Sequence, residues 1–195
     1  SPAAGRVYGG GMIREDIERY SPCCEQEERD KKLILDFIGR NADAFVRTNL
    51  TAHMTASAWV VNRERTKVLM VYHRIYDSWS WTGGHADGET DLLSVAVREV
   101  REETGVSAHP VSEDIFSLEI LTVDGHEKRG EYVSSHLHLN VTYLLEADER
   151  DELHVCEDEN KAVAWFTLDG ALKASTEPWF VERIYKKLNK KLTEK

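Results

Sequence analysis

Between residues 83 and 106 the chain reads GGHADGETDLLSVAVREVREETGV, a glycine-rich loop running into a helical pattern that carries three carboxylates. Glu99, Glu102 and Glu103 stand at i, i+3 and i+4. On a helix they share one face within an arc of about 100°. Leu93, Ala96, Val97 and Val100 fall on a neighbouring stripe, roughly a third of a turn away, which can bury against a sheet. Thr90 or Asp91 is placed to cap the start, and Gly105 to cap the end. Like charges at i, i+4 repel one another by a few tenths of a kcal/mol. The helix must therefore lay one face on a core and hold its acidic face where something neutralises it. Arg98 and Arg101 can do so on an ordinary solvated face. A hard divalent cation can also do so, since Mg²⁺ prefers oxygen ligands and is commonly shared between carboxylates and substrate phosphates. The glycines favour the cation. Gly83 and Gly84 let the backbone approach a ligand, and Gly88 adds another permissive position.

The rest of the charge narrows the partners. The chain has 35 Asp and Glu against 25 Lys and Arg, a formal charge of −10. A nucleic-acid binder needs a basic field to displace condensed counterions, so no nucleic acid is expected. An anionic membrane surface is excluded on the same ground. No run of about 18 apolar residues is present to span a bilayer. The start SPAAGRVYGGGMIRE has no apolar signal-peptide core, so the expected compartment is the cytoplasm. Cys23, Cys24 and Cys156 form neither a CxxC nor a zinc pattern and read as free thiols.

At 195 residues the chain is expected to bury roughly 70% of its unfolded surface, enough to fold without a disulfide or structural metal. Residues 1–11 are expected to be a leader ahead of Met12, either an expression scar or a disordered segment. Residues 12–52 read as an N-terminal helical extension. Its helix at 25–38 carries Leu33, Ile34, Phe37 and Ile38 at helical spacing, with Gly39 as C-terminal cap. That helix is also the candidate surface for a homodimer. Residues 53–195 read as the main domain. Strands are expected at 53–61 and 67–73, joined by a hairpin loop, and at 115–124, 136–146 and 161–168. A polar loop fills 77–90, and helices fill 91–103 and 177–192. Pro178 suits the first turn of the last helix, and Phe180, Ile184, Leu188 and Leu192 form its stripe. Strands mixed with a few helices, outside strict βαβ alternation, give a layered α/β (α+β) domain.

The 83–106 stretch resembles the Nudix box, G-x5-E-x7-R-E-U-x-E-E-x-G-U, where U is a bulky aliphatic residue. Gly84 matches the first glycine. Arg98, Glu99, Val100, Glu102, Glu103, Gly105 and Val106 match the whole second half at its spacing. One position departs: Thr90 stands where the pattern has Glu, and Glu89 lies one place earlier. Whether Glu89 supplies that carboxylate through a shifted turn stays open. The resemblance implies an α/β/α sandwich with a mixed central sheet. It implies a hydrolase that cleaves the diphosphate linkage of a nucleoside diphosphate joined to another moiety, with water attacking phosphorus and Mg²⁺ or Mn²⁺ assisting. Carried onto this chain, it makes Glu99, Glu102 and Glu103 the metal ligands. One of Glu102 and Glu103 would also orient or deprotonate the water, and Arg98 would orient a glutamate by a bidentate contact. Some family members add an acidic ligand before a late strand. Among Glu157, Asp158 and Glu159 the choice is Glu159, against the plain reading of an acidic loop. The same residues also fit a non-hydrolytic module that binds a nucleotide as a sensor.

Tyr72, His73, Arg74, Tyr76, Trp79 and Trp81 cluster just before the box. The aromatics can stack a base, and Arg74 can join Gly83 and Gly84 in holding phosphates. The competing reading puts Trp59, Trp79 and Trp81 in the core. His136 and His138 alternate on a strand and share one face, where they either bind a metal or meet solvent. His85 sits inside the glycine loop. Markers of the ADP-ribose and NADH subfamilies are missing, so the expected partner is a small nucleotide-type diphosphate of open identity.

Overall fold

The structure, a computed structural model, describes residues 13–194, so the expected leader lies outside the described residues. The chain begins with helices α1 (Ile13–Arg19) and α2 (Glu25–Arg40). Four strands follow, β1 (Ala52–Val61), β2 (Lys67–His73), β3 (Ser78–Ser80) and β4 (Thr82–His85), and then helix α3 (Leu92–Thr104). Next come β5 (His109–Pro110), β6 (Ser117–Val123), β7 (His126–Lys128), β8 (Glu131–Val133), β9 (His136–Glu146) and β10 (Asn160–Thr167). The chain ends in α4 (Leu168–Ala174), α5 (Pro178–Phe180), a π-helical turn at Val181–Tyr185, and α6 (Lys186–Thr193).

β1 is buried along its whole length. One edge pairs in parallel with β9, from Ala52 opposite Leu137 to Val61 opposite Glu146. The other edge is shared. β2 meets it only at Val61 and Val68, and β4 runs antiparallel opposite residues 55–58. β2 carries β10 on one edge and β3 on the other, while β9 carries β5 and β6. The β3–β4 segment thus fills the wedge where β1 and β2 splay apart. Strands with side chains of period two present two faces. Met54, Ala56, Ala58 and Val60 join Ile17, Ile34, Leu92, Leu93, Val95, Ala96 and Val100 beneath α1, α2 and α3. Trp59 and Val61 join Val68, Met70, Trp81, Ile184, Tyr185 and Leu188 beneath the C-terminal helices. A mixed sheet between two helical layers is the expected α/β/α sandwich. Among the described residues, no helix is long and apolar enough to cross a membrane.

Of the two candidate caps for α3, Asp91 takes the role, its carboxylate accepting from the Ser94 N–H and hydroxyl at 3.3 and 2.7 Å. Gly105 ends the helix in the left-handed conformation, φ 78°, and its N–H donates to the Arg101 carbonyl at 2.8 Å. The expected cap at Gly39 is corrected. α2 runs through Gly39 to Arg40 and ends at Asn41, whose side chain and backbone N–H both donate to the Phe37 carbonyl at 3.0 Å. A Cβ at Gly39 would meet the Arg14 guanidinium at 3.4 Å, an ordinary contact, so the position does not require glycine. The 77–90 segment is not all loop, because its Ser, Thr and Gly backbone completes the sheet edges.

Residues 13–52 do not stand apart, since Ile13, Ile17, Ile34 and Ala44 belong to the same core as α3. Glu27 of α2 is fully buried. Its carboxylate accepts from the Tyr20 hydroxyl (2.9 Å), the N–H groups of Cys23 (2.9 Å) and Leu118 (3.0 Å), the Ser117 hydroxyl (3.2 Å) and Lys187 Nζ (3.3 Å). Burial alone would favour the neutral acid. Lys187 and the two backbone donors outweigh it and hold the carboxyl near about 2. The N-terminal helices, the sheet edge and the last helix are therefore joined at one charge. Glu27→Ala should cost about 3–5 kcal/mol in chemical denaturation, because it strands Lys187 in the interior. In the wild type this contribution is complete above the unfolded value near 4.5 and is lost as pH falls toward 2. Acid unfolding of the variant should accordingly be shallower across that window.

Candidate active site

α3 packs its aliphatic stripe on the sheet and turns Glu99 and Glu103 toward β4. A Cβ at Gly84 would overlap the Glu99 carboxylate, so only glycine allows this approach of backbone and acid. Gly83 lies equally tight, where a Cβ would come 2.7 Å from the Ala56 carbonyl. The Gly83 N–H donates to Glu103 Oε1 at 2.9 Å, and Asn160 Nδ2 donates to Oε2 at 3.4 Å. Glu103 is only 4% exposed, and the Asn160 Oδ1 beside it is buried without a hydrogen-bond partner. Burial pushes the Glu103 carboxyl up to about 8, with the charges of Glu99 and Glu159 adding to it. Burial and the neighbouring Glu102 push Glu99 up to about 7.

Other expected residues meet this pair unequally. Glu102 is exposed and lies 3.8 Å from Arg98 Nε, so Arg98 makes one long contact rather than a bidentate one. Arg74 and Glu159 are brought together through the main chain, the Arg74 N–H donating to the Glu159 carbonyl at 3.0 Å. Both side chains are exposed. Glu89 is committed elsewhere: its Oε1 accepts from the Asp91 N–H at 2.8 Å at the entry to α3. It follows a tight turn through Asp87 and Gly88, both at positive φ, closed by the Glu89 N–H on the Ala86 carbonyl at 2.9 Å. Arg47 clamps that turn with two bonds to Asp87, at 2.8 and 2.9 Å. Thr90 therefore departs from the pattern at a position where the neighbouring Glu supports the loop.

Trp59 and Trp81 fill the core. Tyr72 and Trp79 form a cross-strand edge-to-face pair at 5.5 Å, and Trp79 packs in turn on Phe166. His73 lies against Tyr76, ring centroids 4.6 Å apart.

The opposite face of β4 and β1 is polar. Asn140 Oδ1 accepts from Thr55 (2.8 Å) and Ser57 (3.0 Å), and Asn140 Nδ2 donates to Thr142 (3.2 Å). Thr142 donates to Glu119 Oε1 at 3.1 Å, the Ser117 hydroxyl oxygen lies 3.0 Å from the same atom, and burial pushes this carboxyl up to about 7. At the other end of this row lie His53, His85, His136 and His138. Sequence reading singled out the last three and missed His53. The signal was its place on β1 in the same alternation as Thr55 and Ser57.

A divalent cation suits the glutamate side. A buried carboxyl and a half-buried one are pushed upward there, mainly by burial, glycine leaves the backbone against the second, and a buried amide oxygen is unpartnered. Glu99 and Glu103, with Glu102 at the rim, would hold it. Among the described residues, the triads whose ligand atoms all lie within 4.8 Å of one another are His53, His136, His138 and Cys23, Cys24, Glu27. The glutamates are spread more widely.

A family model described as NUDIX domain matches residues 51–188. A probable DHNTP pyrophosphohydrolase of Lactococcus lactis subsp. cremoris is 25% identical over 127 residues, covering 65% of this chain and 74% of that protein. Among solved structures, a UDP-X diphosphatase superimposes with a TM-score of 0.54 at 16% identity, over 93% of this chain and 89% of that one. A NUDIX hydrolase from Nitrosomonas europaea gives 0.52 at 18% identity, over 72% and 88%. At such identities the structural likeness shows the fold alone.

Glu103 and Glu99 make a pH prediction of opposite sign to that of Glu27. Their folded values lie above the unfolded 4.5, so the folded chain keeps protons that the unfolded chain has released. In chelator, melting temperature should fall as pH rises from 5 to 8, and Glu103→Gln should flatten that slope. Added Mg²⁺ should raise the melting temperature more at pH 8 than at pH 5.

Proposed function

Because the chain belongs to the NUDIX family of hydrolases acting on pyrophosphate bonds, we propose that it cleaves the diphosphate linkage of a nucleoside diphosphate derivative in a Mg²⁺- or Mn²⁺-dependent reaction. The observation that carries this reading is the buried Glu103 carboxylate, pinned between the Gly83 N–H and Asn160 while Glu99 presses on Gly84. When bound, the cation would neutralise phosphate charge and acidify a water molecule. The protein's own part is positioning, which dominates phosphoryl transfer. Glu99 and Glu103 would be ligands held rigidly from α3, with Glu159 approaching from the start of β10. Glu102, the exposed member, would orient or deprotonate the attacking water. Arg98, 3.8 Å away, would set the Glu102 rotamer. Gly83 and Gly84 would let the phosphates reach this side of β4. Arg74, anchored by its backbone to Glu159, would pair with a phosphate oxygen.

The substrate panel follows from this chemistry: nucleotide sugars, ADP-ribose, dinucleoside polyphosphates and dNTPs. The Lactococcus relative's name adds DHNTP. Phosphate or AMP release should be seen with at least one, and chelator should abolish it. On that substrate Glu103→Gln should lower turnover by on the order of 10²–10⁴-fold, whereas Arg74→Ala should act mainly on KM. Full turnover in Glu103→Gln would overturn the site. The outer face of α2, where Leu33 is exposed, is the proposed homodimer surface. A single monomeric species in sedimentation at high concentration would remove that role.

A further inference from the structure

We propose that the chain holds a second metal site, for a transition-metal ion of the Zn²⁺ class, built from the imidazoles of His53, His136 and His138 with His85 as fourth ligand. The ligand nitrogens of the first three lie within 4.8 Å of one another. Every ring centroid in the group is 4.9–5.2 Å from those it touches: His53 meets the other three, and His138 meets His85 and His136. Tetrahedral zinc with Zn–N bonds near 2.0–2.1 Å sets its nitrogens about 3.3 Å apart. His136 Nε2 and His138 Nε2 already stand 3.2 Å apart.

The rings are oriented as ligands. His53 Nδ1 lies 3.0 Å from the Asn49 carbonyl and His136 Nδ1 lies 2.8 Å from the Ser134 carbonyl. A carbonyl only accepts, so each Nδ1 carries the proton and each Nε2 presents a lone pair. Orientation of a metal-binding histidine by a backbone carbonyl is the usual arrangement. His53 Nε2 is buried and has no hydrogen-bond partner, in a residue only 4% exposed. A buried polar atom without a partner costs free energy, and here it faces the other imidazoles.

The scaffold is stiff. His53 stands opposite His138 in the parallel β1–β9 ladder, and His85 stands on β4 opposite Thr55. Metal binds the neutral imidazole, so an ion here would compete with protons for the rings. Imidazole nitrogens suit Zn, Cu, Fe and Ni, whereas Mg²⁺ prefers oxygen. The ion would thus differ in kind from the one expected at the glutamates. It would clamp β4, the strand carrying Gly83 and Gly84, to β1 and β9.

The test uses the full chain stripped with chelator. Zn²⁺ is added, excess is removed by gel filtration, and bound metal is measured by elemental analysis. Co²⁺ then serves as the spectroscopic probe, and isothermal titration gives the Zn²⁺ affinity. The wild type should retain a single Zn²⁺ per chain and show visible Co²⁺ bands of low-coordinate nitrogen ligation. His53→Asn and the half-buried His136→Asn should each lower Zn²⁺ affinity by at least about 100-fold, beyond the roughly 10–100-fold typical of losing an outer-shell partner. His136→Asn covers the case in which His53→Asn fails to fold, with circular dichroism as the check. Glu103→Gln should retain the Zn²⁺ and the Co²⁺ bands even as it loses hydrolysis, which separates this site from the hydrolytic reading. The proposal is overturned if the wild type retains no Zn²⁺, if both histidine variants bind as the wild type does, or if Glu103→Gln abolishes binding.

Discussion

The parallel ladder between β1 and β9 fixes the position of nearly every group with chemical work to do. It runs unbroken from Ala52 opposite Leu137 to Val61 opposite Glu146. Side chains alternate along a strand, so this register decides which residues meet α3 and which meet the opposite face. Met54, Ala56 and Ala58 form the floor for the carboxylate helix, while His53, Thr55 and Ser57 join His138, Asn140 and Thr142 behind it. A slip of one residue would exchange the two sets and destroy both constellations. Because β4 pairs with the same stretch of β1, its glycines are carried to the glutamates and its histidine to the other side.

The buried acids show how strongly environment, rather than residue type, sets charge. Glu27, Glu103 and Glu119 are all nearly inaccessible. Glu27 is held near about 2 by Lys187 and two backbone N–H groups. Glu103 is pushed up to about 8 by its burial, with two acidic neighbours adding to it against one backbone donor and one amide. The first charge is satisfied by the protein itself and ties three parts of the fold together. The second has no cationic partner in the chain, which supports the cation proposed for the site. On the proposed reading, a chain of formal charge −10 would accept an anionic substrate because a few of its acids recruit a cation there.

Much of this was legible before the fold was known. The aliphatic stripe of α3, its aspartate cap and its terminal glycine are local signals, and each lies where periodicity and capping chemistry put it. The same holds for β2 and β9, whose bounds match the alternating pattern. Gly39 is not the cap because a glycine near the end of a helical run permits a cap without imposing one. Asn41, with two donors to the Phe37 carbonyl, ends the helix instead. β3 and β4 were hidden because they are only three and four residues long and rich in Ser and Gly, and their pairing comes from sheet edges left open by distant strands. The bidentate contact expected of Arg98 is a single long one, 3.8 Å from Nε to Glu102, between two side chains that are both about half exposed.

By itself, the sequence determined the family, the layered fold and the row of three glutamates, because these rest on spacings within one helix and on residue types that a helix and a glycine turn demand. Only the tertiary structure decided how unlike those glutamates are. Glu103 is buried between Gly83 and Asn160, whereas Glu102 lies in solvent. It also brought His53 and His85 to His136 and His138, across strands that are adjacent in the sheet and far apart in the chain. The physical reason is the same in both cases. Burial and cross-strand proximity depend on which segments pair, and pairing is set by the global register of the sheet rather than by any local window of sequence.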